Sequence, residues 1–329
     1  AAAPGPRRVE RRLPVRIGFT LPQFGAMAQQ ASEAARFAAA AEELGAASLW
    51  VGDRLLAPVE PSVGYGGTDR IPEVFHAVLD PFALMAVAAS ATRTAVIGTN
   101  VLNAPWYAPA LLARSLTTID ALSGGRLLPG FGVGWSPEEY VAAGVPMRER
   151  GARLDECLDV LDAWWGPSPA AYTGRHWTLP ATHVGLRPAH APHPPVYLGG
   201  YSPAALDRTA RRAAGWLPAT APGRADFDPA AVSGPLGRIR EIAAAHGREP
   251  GDVDVILRVN PQGPAGVDTV VDVLRRAERE AGVGHAFVDL MYITSGVDEA
   301  LDMVARILRD TPADTATAES ATDGTGTGV

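Results

Sequence analysis

Short apolar runs rich in β-branched residues alternate with helical patterns along nearly the whole chain. The runs fall at 16–21, 48–52, 94–102, 126–132, 195–200, 215–219, 252–259 and 285–292. Helical periodicity fills 31–45, 80–91, 108–122, 148–165, 203–213, 228–246, 267–281 and 297–309. Strands of near-continuous apolar character point to a parallel sheet covered on both faces. Eight such units predict closure into a (β/α)8 TIM barrel over residues 15–310, an α/β fold, with an open doubly wound sheet as the alternative. The helix over 148–165 shows the pattern well. Leu154, Leu158, Leu161 and Trp165 form one apolar stripe, with Asp155, Glu156, Asp159 and Asp162 on other faces.

Two segments interrupt the alternation. Residues 54–79 form a long loop after the second strand, and 166–194 are proline-rich with a hairpin signal at AYTGRHWTL. Both are expected to shape a pocket at the C-terminal mouth, where barrels vary their chemistry. The small, polar, low-complexity tail 311–329 reads as disordered, as does the extension 1–14.

Composition narrows the function classes. Apolar residues make up 47% of the 329, ample for a core, and no apolar run approaches the ~18 residues of a membrane span. A net charge of -7 argues against a general nucleic-acid binder. The first residues carry arginines but no apolar stretch behind them, so no signal peptide is expected. Cys157 is the single cysteine, which fits a reducing cytoplasm and reads as a small core residue. All 29 basic residues are arginine, which with heavy Ala, Gly and Pro usage reflects GC-rich coding.

Candidate chemistry sits at four successive strand ends. The second strand ends WVGDRLL, placing Asp53 and Arg54 at the mouth, where a surface ion pair between them is the plain alternative. The third ends GTNVLN, with Asn100 and Asn103 in an apolar run. The fourth ends GFGVGW, whose glycines leave bare backbone for a flat ring or phosphate to approach, next to Trp135. The fifth ends GGYSP: Gly199 and Gly200 turn the chain, Ser202 is a good N-cap and Pro203 suits the first helical position. An exposed helix N-terminus there would attract an anion, although plain capping explains the same residues. His76, in the loop over the mouth, is a candidate proton donor or an ordinary exposed histidine. His183, His190 and His193 fit no metal signature, and no metal site is expected. Nucleophile-elbow, phosphate-loop and dinucleotide fingerprints are absent, so a bound redox cofactor is the better source of chemistry.

The segments WVGDR, RTAVIGTNVLNAPWYAPALLARSLTTIDALSGGRL, GFGVGWSPEEYVAAGVPMRERGARLDECLDVLDAWW and PPVYLGGYSPAALDRTARRAAGWLP resemble the luciferase-like monooxygenase superfamily, closest to its coenzyme F420 branch. The resemblance implies a deazaflavin at the C-terminal mouth and a non-proline cis peptide at Asn100-Val101 pressing on its ring. It implies further that Asp53, Asn103, Val133, Gly134 and Glu138 contact the deazaflavin, with Trp135 beside them. Gly199, Gly200, Tyr201 and Ser202 would lie near its phosphate.

Two positions depart from the family pattern. Arg54 stands where members often carry His, and Trp135 where some sugar-phosphate dehydrogenases carry a catalytic Glu. Arg54 would stay charged and could stabilise an oxyanion, but it is a poor acid or base near neutrality. Arg54 and His76 are the catalytic candidates. The expected function is hydride transfer between reduced F420 and a small organic substrate, reducing C=C or C=N or running in reverse. An FMN-dependent monooxygenase fed by a separate reductase is the alternative within the fold; a silent ligand-binding barrel is the third. A homodimer is the expected assembly.

Overall fold

The computed structural model describes residues 15–311; the segments 1–14 and 312–329, expected to be disordered, lie outside the described residues. Eight parallel strands close a barrel. The first, Arg16–Thr20, pairs with the second, Ser48–Val51, and with the eighth, His285–Val288. The third runs Val96–Thr99 and continues as Leu102–Asn103. Its two parts pair with the two parts of the fourth, Leu127–Leu128 and Gly130–Gly132. The second strand pairs with the first part of the third. The ring then passes through the fifth, Tyr197–Leu198, and the sixth, Gly215–Trp216 with Ala219–Thr220. The seventh, Asp254–Val255 with Leu257–Val259, returns it to the eighth. No edge is left open, so the doubly wound alternative is excluded.

The helices begin and end where local chemistry dictates. Asp80 and Ser202 each accept a backbone N–H in the first turn, from Ala83 at 2.8 Å and Ala205 at 3.2 Å, with Pro81 and Pro203 at the first helical positions. Gly124 closes its helix in the left-handed region, φ 68°. The strand breaks were not visible in the apolar runs. Two fall at Pro129 and Pro218, which have no N–H to continue a ladder.

The barrel's lower interior is packed shut. Trp50 stacks on Phe287 with centroids 4.3 Å apart, and its indole N–H donates to Ser48 Oγ at 2.7 Å. Ser48 Oγ also lies 2.8 Å from Nε2 of His285, whose burial pushes its pKa down to about 3. The imidazole is therefore a neutral core group. The cavity described below opens at the opposite, C-terminal end.

The predicted stripe of the helix Arg150–Trp165 is buried throughout, as is Cys157. Its acidic faces are not simply solvated. Asp155 pairs with Arg208 at 2.6 Å, Asp159 and Asp162 hold Arg212, and Glu156 accepts the backbone N–H groups of Arg175, His176 and Trp177. Those last three belong to the turn of the predicted hairpin, formed by Ala170–Thr173 and Thr178–Thr182. The hairpin packs on the barrel's flank through Ala170, Leu179 and Val160. It does not shape the mouth as expected. The segment connects a helix to the next strand, and such connections run at the opposite end of the barrel from the strand-to-helix loops. Among the described residues no helix is long and apolar enough to cross a membrane.

A Cβ at Gly98, on the third strand, would lie 2.5 Å from the Trp50 ring. Gly98→Ala is expected to cost about 1–3 kcal/mol through overpacking. Urea unfolding measures it; an unchanged midpoint would mean that Trp50 has room to shift.

Candidate functional site

A cavity of about 330 Å³ opens at the C-terminal mouth. Five consecutive elements of the sequence reading meet on its wall: Asp53 and Arg54, Asn100 and Val101, Asn103, Val133 to Trp135, and Gly199 to Tyr201. The peptide Asn100-Val101 is cis, as the resemblance implied. Of the remaining wall, only the share of the loop 54–79 was expected, and no residue of it was singled out. That wall comes from Phe24, from Tyr65 and Phe75 of the long loop, and from Leu217, Arg258 and Met291. These residues carry no local motif; only barrel closure brings strands six to eight opposite strands two to five.

The bare glycines work differently from expectation. A Cβ at Gly132 would sit 2.5 Å from Val101 Cγ2, and one at Gly199 would sit 3.1 Å from Val101 Cγ1. The space they leave is taken by Val101, whose side chain then helps form the cavity wall. Gly200 is required by its own backbone, φ 125°, so replacing it would disturb the turn rather than probe phosphate contact.

Asp53 is buried at the start of the 54–79 loop. Its Oδ2 accepts the Asn103 N–H at 2.8 Å, and the Tyr107 hydroxyl lies 3.0 Å from both carboxylate oxygens. Burial raises its pKa to about 7 in spite of these bonds, and the negative charge of Glu139 adds to the rise. Tyr107, buried beside Asp53, is pushed well above the usual phenol range and stays a donor.

Arg54 is not the partner of Asp53. Its Nη1 pairs with Oε2 of Glu139 at 3.3 Å, with the two side chains 6% and 1% exposed. Nη2 donates to Leu56 O at 3.1 Å. The guanidinium carbon lies 4.5 Å from the centre of the Trp135 ring and 5.2 Å from that of Phe75. The two departures from the family pattern are thus one feature: the cation at 54 rests on the ring at 135. Burial pulls Arg54 down and pushes Glu139 up from their ordinary ranges, and each opposes the other's shift by its charge. Glu139 Oε1 also accepts the N–H groups of Leu55 and Leu56, tying down the start of the loop. Gln23 ties both ends of that loop, pairing with Gly52 through N–H and C=O and donating to Leu79 O.

Three predicted residues lie outside this chamber. Glu138 accepts from the Ser62 N–H at 2.8 Å and the Ser136 hydroxyl at 3.0 Å, away from the cavity. Neighbours on the helix Pro137–Ala142 point about 100° apart, so Glu139 takes the inward direction. His76 ends the turn Glu73–His76 exposed to solvent, while Phe75 beside it faces in. Ser202 caps its helix and lines an adjoining pocket of about 510 Å³ with Arg148, Arg150 and Arg208. The two cavities share Val133, Gly134 and Gly199 to Tyr201. Three guanidinium groups beside a helix N-terminus form a place for an anion. The arginines were missed because 148 precedes one helix, 150 begins it and 208 lies within another.

The sequence profile of the luciferase-like monooxygenase family matches residues 16–315. The chain belongs to that family. An uncharacterised protein of Mycobacterium tuberculosis is 30% identical to this luciferase-like chain over 225 residues, 67% of this chain and 74% of that protein. An FMNH2-dependent dimethylsulfone monooxygenase of Pseudomonas putida is 30% identical over 161 residues, 47% of this chain and 41% of that one. An F420-dependent secondary alcohol dehydrogenase, solved with an F420–acetone adduct, shares the fold. The TM-score is 0.69 at 16% identity, over 92% of this chain and all of that one.

The raised pKa of Asp53 has a stability signature. The folded state keeps the proton to about pH 7, whereas an unfolded aspartate loses it near 3.9. Its contribution is present below the unfolded value and is lost as pH rises through the folded one. Asp53→Asn should therefore gain on the wild type between about pH 4 and about pH 8, by on the order of 2–4 kcal/mol. Urea unfolding across that range measures it, and parallel stability curves would show an ordinary carboxylate.

Proposed function

We propose that the chain is an F420-dependent oxidoreductase that moves a hydride between reduced deazaflavin and an organic substrate, in the direction of C=C or C=N reduction. The observation that carries this reading is a chamber wall that holds both Asp53 and Arg54 and opens onto an arginine-lined pocket. Reduction of such a bond consumes a hydride and a proton. When bound, the deazaflavin supplies the hydride. Asp53, held near neutrality, is the one carboxyl on the chamber wall suited to hold the proton, a task Arg54 cannot perform.

The residues present fit a flavin-like ring and its phosphate. Arg54 Nε and Asn100 Nδ2 are buried donors without an acceptor, and both residues line the chamber. Ring carbonyl oxygens would satisfy them. Ser202, Arg148, Arg150 and Arg208 would hold the phosphate, with Asp155 keeping Arg208 in place. Tyr65 and Phe75, edge to face at 4.9 Å between centroids, line the chamber on its loop side. The same features would accept FMN. The partial likeness to the sulfone monooxygenase supports that second reading, in which a separate reductase supplies reduced flavin.

Titration with both cofactors tests the choice. F420 is expected to bind roughly tenfold or more tightly than FMN. The reverse order would overturn the F420 assignment, and no binding of either would leave a ligand-binding barrel. Arg208→Ala should weaken cofactor binding with the fold kept, read by circular dichroism beside the titration. Arg54→Gln/Glu139→Gln, which removes the cation without stranding a buried carboxylate, should lower turnover on the order of 10²–10³, because the lost donor acts on charge that develops during reaction. Wild-type turnover in that variant would reduce Arg54 to a partner of Glu139.

A further inference from the structure

The chamber wall away from the cofactor segments is mostly apolar, with Phe24, Phe75, Leu217 and Met291; Tyr65 adds a phenol and Arg258 a charge. Arg258 sits on the seventh strand with its side chain 18% exposed. Its Nε and Nη2 both donate to Oδ2 of Asp289. Asp289 is itself fixed by the Thr20 hydroxyl at 3.3 Å and the Met291 N–H at 3.2 Å. Nη1 of Arg258 has no protein acceptor among the described residues. The guanidinium is thus held by one edge while the group itself lines the cavity. Arg54 shows the same pattern on the facing wall: anchored by Glu139, nine-tenths buried, with Nε unpartnered. Tyr65, itself on the chamber wall, lies within electrostatic reach of both cations.

We propose that Arg258 selects a substrate with a flat apolar body and a carboxylate. A planar guanidinium with free donors matches a carboxylate, and charge-assisted bonds there are about twice as strong as neutral ones. The aromatic and aliphatic wall matches the flat body. This inference rests on the cavity being the substrate chamber of the proposed oxidoreductase, and it names the class of substrate that chamber takes.

Calorimetry on the protein without added cofactor compares 2-naphthoate with 2-naphthylmethanol, probes alike in body and different in charge. The acid is expected to bind roughly tenfold or more tightly. In Arg258→Gln/Asp289→Asn, which removes both charges without leaving either one unpaired, that preference should vanish while F420 and FMN affinities stay as in the wild type. Equal binding of acid and alcohol, no binding of either, or a preference that survives in the double variant would overturn the proposal. The preference on wild-type protein is read without any variant, so misfolding cannot hide the answer. An acid preference dependent on Arg258 in a protein that binds neither cofactor would sink the hydride-transfer reading and leave the carboxylate site standing. Cofactor binding without the preference would do the opposite.

Discussion

The buried ion pair of Arg54 and Glu139 organises the mouth of this barrel. One carboxylate meets the cation at the end of the second strand, the first N–H groups of the covering loop, and through its own helix the turn after the fourth strand. Buried charges are costly unless paired and hydrogen-bonded. Removing either partner would strand the other, so the loop, the second strand and the fourth are obliged to keep one arrangement. The chamber depends on that arrangement, because Tyr65 and Phe75 line it only while the loop is held at its start.

The same pair explains how a luciferase-like barrel accommodates an arginine and a tryptophan at positions that can carry histidine and glutamate in relatives of this kind. The guanidinium needs a countercharge and a desolvated face to rest on; Glu139 and Trp135 supply them. Position 54 is thereby a fixed cation. In the proposed reduction the proton would fall to Asp53, whose carboxyl is raised by burial and bounded by Asn103 and Tyr107. A fixed cation beside a proton carrier suits a reduction better than either residue alone.

Close packing of a side chain replaces the open backbone anticipated at the fourth and fifth strand ends. Val101 fills the space left by Gly132 and Gly199, so a side chain from the third strand, not bare main chain, forms that part of the wall. The anion pocket beyond Gly200 draws its charge from Arg148, Arg150 and Arg208 as well as from the helix end. The arginine richness of the chain is in part structural: Arg126 alone donates to Ser123 O, Ala95 O, Ala89 O and to both oxygens of Thr92.

Periodicity determined the strands, the helices and their order, because burial on both faces of a parallel sheet writes itself into every strand. Local rules also placed the Ser202 cap and the strand ends that carry Asp53, Arg54, Asn100 and Asn103. What the residues along one segment could not show was direction and partnership. Glu138 and Glu139 are adjacent in sequence and point about 100° apart on a helix, and His76 and Phe75 likewise part, one outward and one inward. Arg258, Asp289 and Met291 carry no motif and reach the chamber only through closure of the ring. Burial of Asp53, the switch of Arg54 from Asp53 to Glu139, and the flank position of the hairpin arise between segments far apart in the chain. Periodicity records which residues face a core; tertiary packing alone decides which charges meet there.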